Sequence, residues 1–538
     1  MLRMRGFVSP CRTLLNRPTL SVTRAPIARG LSTNSPIDFT DTKLVYQSKS
    51  TYSLVRAYFV FQLCRIPLIV ENAEKLLRVS YSVLRPTITD MIMKKTFFAH
   101  FCAGEDEKEI IPVINDYERH GIGSILDYAA EADINDDTID LVESLSEEEK
   151  EIVVRTYEYK NELLCDERAL TFDKCLRSAN VVKGASSNGF VAVKITALTD
   201  PKLLEKMSKV VVEIRNLFLK FDKNKDGTIS ADEFKRGYDY FFSGERADDV
   251  FKLIDTDKSG HVDYVSWSNS ITIEDLHLLT SQCREKGPLF HATFSDNERD
   301  LLLSFRNRVR KLAKLAEELD VNMMIDAEHT YFQPAIDNVA ITLMKEFNVK
   351  KPVIFSTYQM YLVDSEWRLH TDIIRAKQGN YYFAAKIVRG AYMELERALA
   401  AEKNYDDPIH ADKQATDDNY NRNIEKLVKL MGEKEKIEIM IASHNKESVE
   451  RTLRYASENG LPHDAPIHFA QLMGMADNLT FMLGHEKYKA YKYVPYGAVK
   501  EVMPYLLRRA QENSGMMGGA TAEINMLSEE IKRRIFNR

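Results

Sequence analysis

The sequence predicts an α/β protein: a (β/α)8 TIM-like barrel with an N-terminal helical region and an inserted α-helical lobe. Three observations predict it. Short apolar, often β-branched runs recur eight times from Gly121 onward, with helical stretches between them. The second and third runs, around Phe190 and Val321, are separated by far more chain than one connecting helix requires. Within that gap, DKNKDGTISADE from Asp222 has the spacing of a divalent-cation loop flanked by apolar helices.

The elements follow in order. Residues 1–37 carry six arginines (Arg3, Arg5, Arg12, Arg17, Arg24 and Arg29), no lysine, and no acidic residue before Asp38. That composition reads as a mitochondrial transit peptide. Without those six charges the formal net charge moves from −6 to about −12, so the body is acidic and nothing suggests nucleic acid as a partner. Residues 38–118 read as a helical N-terminal region, with long periodic stretches such as YSLVRAYFVFQLC and ENAEKLLRVSYSVL. The run Tyr58–Val70 comes nearest to a membrane segment, but Arg65 and Pro67 interrupt it. It is read as a buried helix, with the surrounding helices a candidate for peripheral membrane contact. Cys11, Cys64, Cys102, Cys165, Cys175 and Cys283 show no close pairing and are read as free thiols of a reducing compartment.

The barrel starts in residues 119–205 and resumes in 291–538. Its strands are assigned to GIGSILDYAAEA, FVAVKITAL, VNMMIDAEH, PVIFSTYQ, YYFAAKIVRGAY, IEIMIASHN, PIHFAQLMG and YKYVPYG. Polar residues gather at their C-terminal ends, where barrels of this kind build active sites: Asp127, Glu131, Lys194, Asp326, Glu328, Tyr358, Gln359, Lys386, Arg389, His444 and Asn445. The insertion, residues 206–290, is read as an EF-hand pair. Its first loop offers Asp222, Asn224, Asp226, the carbonyl of Thr228 and Glu233 to Ca2+, with Gly227 at the sharp turn. The second offers Asp255, Asp257, Ser259, His261 and Asp263, but Ser266 replaces the bidentate twelfth ligand, so weak binding is expected. Ile229 and Val262 occupy the matching eighth positions, where paired loops share a short β contact.

The last strand, YKYVPYG, leads into a helix whose buried face is Val502, Tyr505, Leu506 and Ala510, with Arg508 and Arg509 at its edge as an anion clamp. Tyr493, Gly497, then LLRRAQEN with Glu512 and Asn513, resembles the C-terminal signature of the proline dehydrogenase family. The resemblance covers roughly residues 120–135, 190–200 and 320–515. It implies flavin-dependent oxidation of L-proline to 1-pyrroline-5-carboxylate, with electrons passed to ubiquinone at the inner mitochondrial membrane. It implies that Arg508 and Arg509 grip the proline carboxylate and that Lys194 and Asp326 line the substrate site. Glu131 would gate the site by pairing with the first arginine, while Ala391, Tyr392, Leu472 and Tyr493 wall the proline ring. For FAD it implies Ser356, Gln359, Lys386, Arg389, Ser443, His444, Asn445 and Glu512. Many bacterial members carry Arg at the position of Lys386 and Gln at that of Ser356, so contacts near the flavin differ there.

The residue types suit this chemistry: a held carboxylate, an unprotonated amine and an electron sink facing the neighbouring carbon. The chain has no GxGxxG loop, in line with a barrel rather than a Rossmann domain holding the cofactor. Three alternatives remain open. A hydroxyproline-oxidising relative carries a smaller residue than Tyr493, a Schiff-base aldolase would use Lys194 as nucleophile, and a calcium sensor would keep the barrel as scaffold.

Overall fold

The computed structural model describes residues 37–129, 161–182, 188–243, 246–273, 276, 280–515 and 519–536. The described residues divide into two compact units, one drawn from 205–299 and 392–409, the other from 38–204, 300–391 and 410–536.

The larger unit is built on eight parallel strands: β1 Ile122–Tyr128, β2 Gly189–Val193, β3 Val321–Ile325, β4 Ile354–Gln359, β5 Phe383–Val388, β6 Ile437–Ala442, β7 Ile467–Leu472 and β8 Lys489–Tyr496. Each pairs with the next, and β8 closes on β1 over seven residues, from Ile122 opposite Ala490 to Tyr128 opposite Tyr496. The barrel of the sequence reading is present, strand for strand. Helices cover the outside, so the strands are buried on both faces and read as nearly unbroken apolar runs. The interior is filled by a cluster of Ile125, Phe190, Ala192, Met324, Phe355, Ala384, Met440, Ala470 and Tyr491. Phe190 meets Phe355 and Tyr491 edge-on at centroid distances of 5.4 and 5.0 Å, so the interior is a packed core rather than a pore.

Helices of this unit precede the barrel, among them Thr51–Cys64, Pro67–Glu71, Ala73–Leu84 and Pro86–Met93. The run Tyr58–Val70 departs from the expected buried helix. Arg65 and Ile66 break it and Pro67 opens a new helix. Val60, Phe61, Cys64 and Val70 face the core while Phe59, Ile66 and Leu68 are exposed.

A buried charge cluster ties this N-terminal region to the barrel. Lys492, on β8, is fully buried and donates to the carbonyl of Met475 at 2.6 Å and to Asp477 at 2.8 Å. Asp477 also pairs with Lys49 at 3.4 Å. Burial alone would raise the Asp477 carboxyl, but the two lysines outweigh it and hold the group well below the usual carboxylate range. Removing the shared anion leaves two cations in the interior, so Asp477→Ala is expected to lower unfolding free energy by about 3–5 kcal/mol. A denaturant titration checks this; a loss under about 1 kcal/mol would mean that carbonyl contacts alone hold the lysines.

In the smaller unit, the short strands Thr228–Ser230 and His261–Asp263 pair antiparallel with Ile229 opposite Val262. Ser230 and Glu233 form a reciprocal capping box that starts the helix Ala231–Phe241. Phe221, Phe234 and Trp267 supply its aromatic core, and the Trp267 indole donates to the Ile214 carbonyl at 3.1 Å.

Candidate active site

Side chains alternate along a strand, so the residue two positions beyond the last core-cluster member of each strand projects inward nearer the C-terminal mouth. Those residues are Asp127, Lys194, Asp326, Thr357, Lys386, Ala442, Leu472 and Tyr493. An apolar floor thus passes into a ring that carries charge.

Within the ring, Lys386 Nζ pairs with Asp326 Oδ1 at 2.5 Å, and Tyr493 donates its hydroxyl to Asp326 Oδ2 at 3.1 Å. The Lys386 ammonium lies 5.5 Å from the centre of the Tyr493 ring. Burial, with the Asp127 and Asp326 charges adding, holds the Tyr493 phenol well above its usual range, so it stays a donor. Asp326 thus finds a close cation two strands away, in Lys386. The positive charge of Lys194 acts on Glu328.

Glu328 accepts from Thr196 through both oxygens, at 3.1 Å from the amide and 2.5 Å from the hydroxyl. Burial pushes its carboxyl up to about 7, against the opposing pull of the Thr196 bonds and Lys194. A raised folded-state value favours the protonated native form. Stability from this group is complete below the unfolded value near 4.5, falls as pH rises, and levels off above about 7. Glu328→Gln is expected to flatten the decline in thermal midpoint across that window; an unchanged slope would mean the proton is lost elsewhere.

At the mouth, Gln359 donates to the Glu328 carbonyl at 2.9 Å. Arg389 is anchored through Asp417 at 2.6 Å, Ser443 at 2.7 Å and Ser448 at 3.0 Å, and stacks 4.3 Å from the Tyr420 ring centre. Burial drives His444 down to about 3, so the ring is neutral and its Nε2 accepts the Leu472 amide at 3.1 Å. Asn445 caps the helix Lys446–Glu458, accepting from the Ser448 amide at 3.1 Å. Gly390 holds φ at 146°, and a Cβ there would sit 2.4 Å from the Tyr361 ring; only glycine lets the chain pass from Arg389 to exposed Ala391.

The helix Met503–Gly515 follows β8. Val502, Tyr505, Leu506 and Ala510 are buried as expected, and Arg509, 7 % exposed, pairs with Glu512 at 2.5 Å. The Nε of Arg509 is buried with no hydrogen-bond partner among the described residues. Arg508 lies beside it, half-buried.

One expectation changes. Ser356 shares its side of β4 with Tyr358, whose hydroxyl donates outward to Asp372 of the helix Ser365–Gly379 at 2.8 Å. Strand alternation therefore turns both away from the interior, and Thr357, which the sequence reading passed over, takes the ring position. Tyr392 opens the helix Met393–Lys403, which belongs to the smaller unit. Glu131 lies outside the described residues.

In the inserted loops, both oxygens of Asp222 accept loop amides, from Asp226 at 3.2 Å and Gly227 at 3.1 Å, and Glu233 reaches back to the Asn224 amide at 3.3 Å. Asp226 accepts from Thr228, whereas in the second loop Asp263 caps the next helix through the Ser266 amide at 2.7 Å. Asp255 and Asp257 both accept from the Ser259 amide, and Ser259 donates to the carbonyl of His261. Among the described residues no group of three or more His, Cys, Asp or Glu converges as a metal centre.

Comparison with known proteins decides the family. The proline dehydrogenase family profile matches residues 110–521. The chain is 35% identical to "Proline dehydrogenase 1, mitochondrial" of Homo sapiens over 93% of this chain and 90% of that one. This chain belongs to the proline dehydrogenase family. It is an oxidoreductase of that family. The Drosophila melanogaster protein of the same name is 33% identical over 95% of this chain and 83% of its own length, and the Xenopus laevis "Hydroxyproline dehydrogenase" is 28% identical over 97% and 95%. Among solved structures, proline utilization A (PutA) from Bdellovibrio bacteriovorus inactivated by N-propargylglycine shares the fold with a TM-score of 0.54 at 16% identity. The match covers 94% of this chain but 41% of that one. Family membership removes the aldolase and pure sensor alternatives.

Proposed function

We propose that this chain oxidises L-proline to 1-pyrroline-5-carboxylate with FAD, passing electrons to ubiquinone, as the first step of proline catabolism. The observation that carries this reading is the buried Lys386, Asp326 and Tyr493 cluster in the C-terminal layer of a barrel of this family. FAD, when bound, supplies the acceptor, at its N5, for the hydride leaving the carbon beside the ring nitrogen. Arg508 and Arg509 hold the proline carboxylate, and the buried Nε of Arg509 is a donor suited to it. Lys194 and Asp326 position the amine electrostatically, and its proton passes to water beforehand, so no side chain has to be a strong base. Leu472, Tyr493, Ala391 and Tyr392 wall the ring, and Glu131 gates access.

The residues present fit the cofactor. Arg389 and the Asn445-capped start of the helix Lys446–Glu458 suit a pyrophosphate. Gln359, Lys386, Ser443, His444 and Glu512 complete the set, with Thr357, on the inward parity of β4, in place of Ser356. Tyr493, fixed by its bond to Asp326, narrows the space for a ring hydroxyl, which favours proline over 4-hydroxyproline. Steady-state turnover with a trap for the cyclic imine product should give a kcat/KM for L-proline at least about tenfold above that for 4-hydroxy-L-proline. The reverse order would make the chain a hydroxyproline enzyme.

The same reading divides the chain into a transit peptide, 1–37, a helical region, 38–118, the barrel, 119–205 and 291–538, and an EF-hand insertion, 206–290. It places the chain in the mitochondrial matrix, in peripheral contact with the inner membrane. It also gives Ca2+ to the first loop, through Asp222, Asn224, Asp226, Thr228 and Glu233. Burial raises the Asp222 carboxyl, a cost that a cation would relieve. Calorimetric titration with CaCl2 should show one site that Glu233→Gln abolishes; no heat in the unaltered chain would remove calcium from this reading.

A further inference from the structure

The helices Ala73–Leu84 and Pro86–Met93 form a hairpin with two unlike sides. Ser80 and Thr89 hydroxyls meet at 2.9 Å and Tyr81 donates to Asp90 at 2.7 Å, which locks the two helices together. On the inner side, Leu77, Met93 and Phe97 pack on the cluster that holds Val502, Tyr505 and Leu506, the buried face of the arginine-bearing helix. The outer side is apolar and uncovered: Val79 is 59% exposed and Val83 71%, with Leu76, Ile88, Met91 and Ile92 also open to solvent. The helix Ala73–Leu84 buries no residue at all. A soluble protein rarely leaves so continuous a run of large aliphatics in water without a partner.

Charge identifies the partner. The chain as a whole is acidic, with 74 basic against 80 acidic residues, yet residues 65–95 carry six basic residues against three acidic ones. Arg65, Lys75, Arg78, Arg85 and Lys95 are exposed and flank the aliphatic positions. Two copies packed symmetrically on this face would bring these cations together, whereas anionic headgroups would neutralise them while the aliphatics enter the acyl boundary. Among the described residues no helix is long and apolar enough to cross a membrane, so the hairpin would lie in the interface.

We propose that the outer face of the 73–93 hairpin docks the protein onto an anionic lipid bilayer. The proposal rests on the quinone reading above, since a lipid-dissolved acceptor requires such contact, and it supplies the surface. Because the inner side of the hairpin packs on the helix carrying Arg508 and Arg509, docking also sets that helix close to the lipid.

The test uses the full-length holoenzyme sedimented with phosphatidylcholine vesicles, with and without phosphatidylglycerol. Binding is expected to require phosphatidylglycerol. The pair Val83→Asp and Ile88→Asp should weaken it by more than about tenfold, and Lys75→Glu with Arg78→Glu by about fivefold per charge. Leu253→Asp, at a residue 77% exposed in the smaller unit, should leave it unchanged. All variants carry the same arginine-rich start, so it cancels in the comparison. These positions are exposed, and circular dichroism together with proline turnover on a soluble dye acceptor should match the unaltered protein. Vesicle binding unaffected by Val83→Asp and Ile88→Asp overturns the proposal, and so does conversion of a dimer to a monomer by that pair without loss of binding. Lipid binding without proline oxidation would instead remove the functional reading and leave the surface standing.

Discussion

Arg509→Met is expected to lower kcat/KM for proline by about 2–4 kcal/mol, roughly 30- to 1000-fold. Most of the loss should appear in KM, because the carboxylate keeps its charge from substrate to transition state, so its grip contributes to both. Arg509 suits the role because its guanidinium is buried beside Glu512 while one nitrogen is left without a protein partner among the described residues. Arg509→Lys keeps the charge without the planar fork and should recover only part of the affinity. Steady-state kinetics across proline concentration check this. A KM unchanged in Arg509→Met, in a protein of normal thermal midpoint, would show that the carboxylate binds elsewhere.

The second large effect is expected at Asp326. Its side chain is the shared acceptor for Lys386 and Tyr493, and the Lys386 side chain is only 7% exposed. Asp326→Ala strands that ammonium in the interior, at a cost of about 3–5 kcal/mol in stability. It also frees the Tyr493 ring, so kcat should fall by at least about 100-fold. Asp326→Asn keeps an acceptor for Tyr493 and removes only the charge, and should be less destabilising, by about 1–3 kcal/mol against the unaltered chain. Thermal unfolding and single-turnover kinetics on both variants separate the two contributions. Full kcat in Asp326→Ala would reduce Asp326 to a structural counter-ion.

What could be read before folding follows from where each signal resides. The strands were legible because helices bury them on both faces, so Phe190–Val193 or Ile437–Ala442 reads as apolar whatever its neighbours. The face of the helix that carries the arginines was legible for the same local reason, since Val502, Tyr505, Leu506 and Ala510 repeat at helical spacing. Side-chain direction was harder, because it depends on strand parity within the closed barrel. Ser356 and Thr357 are neighbours of similar chemistry, and only the position of Phe355 in the core cluster tells which of them faces inward. Pairings across several strands left no local trace. Asp326 beyond β3 meets Lys386 on β5, and Lys492, flanked by two tyrosines, looks like a solvent-facing lysine until Asp477 is brought against it from the preceding helix. The run Tyr58–Val70 misled because its mean apolarity hid two helices with opposite needs, one facing the core and one open to solvent.

The most direct measurement is the visible spectrum of the purified protein before and after anaerobic addition of L-proline. A flavin band that bleaches on addition is the predicted result, because it requires bound FAD and oxidation of proline together. A flavin band that proline leaves unchanged, or no flavin band after reconstitution with FAD, would contradict the account.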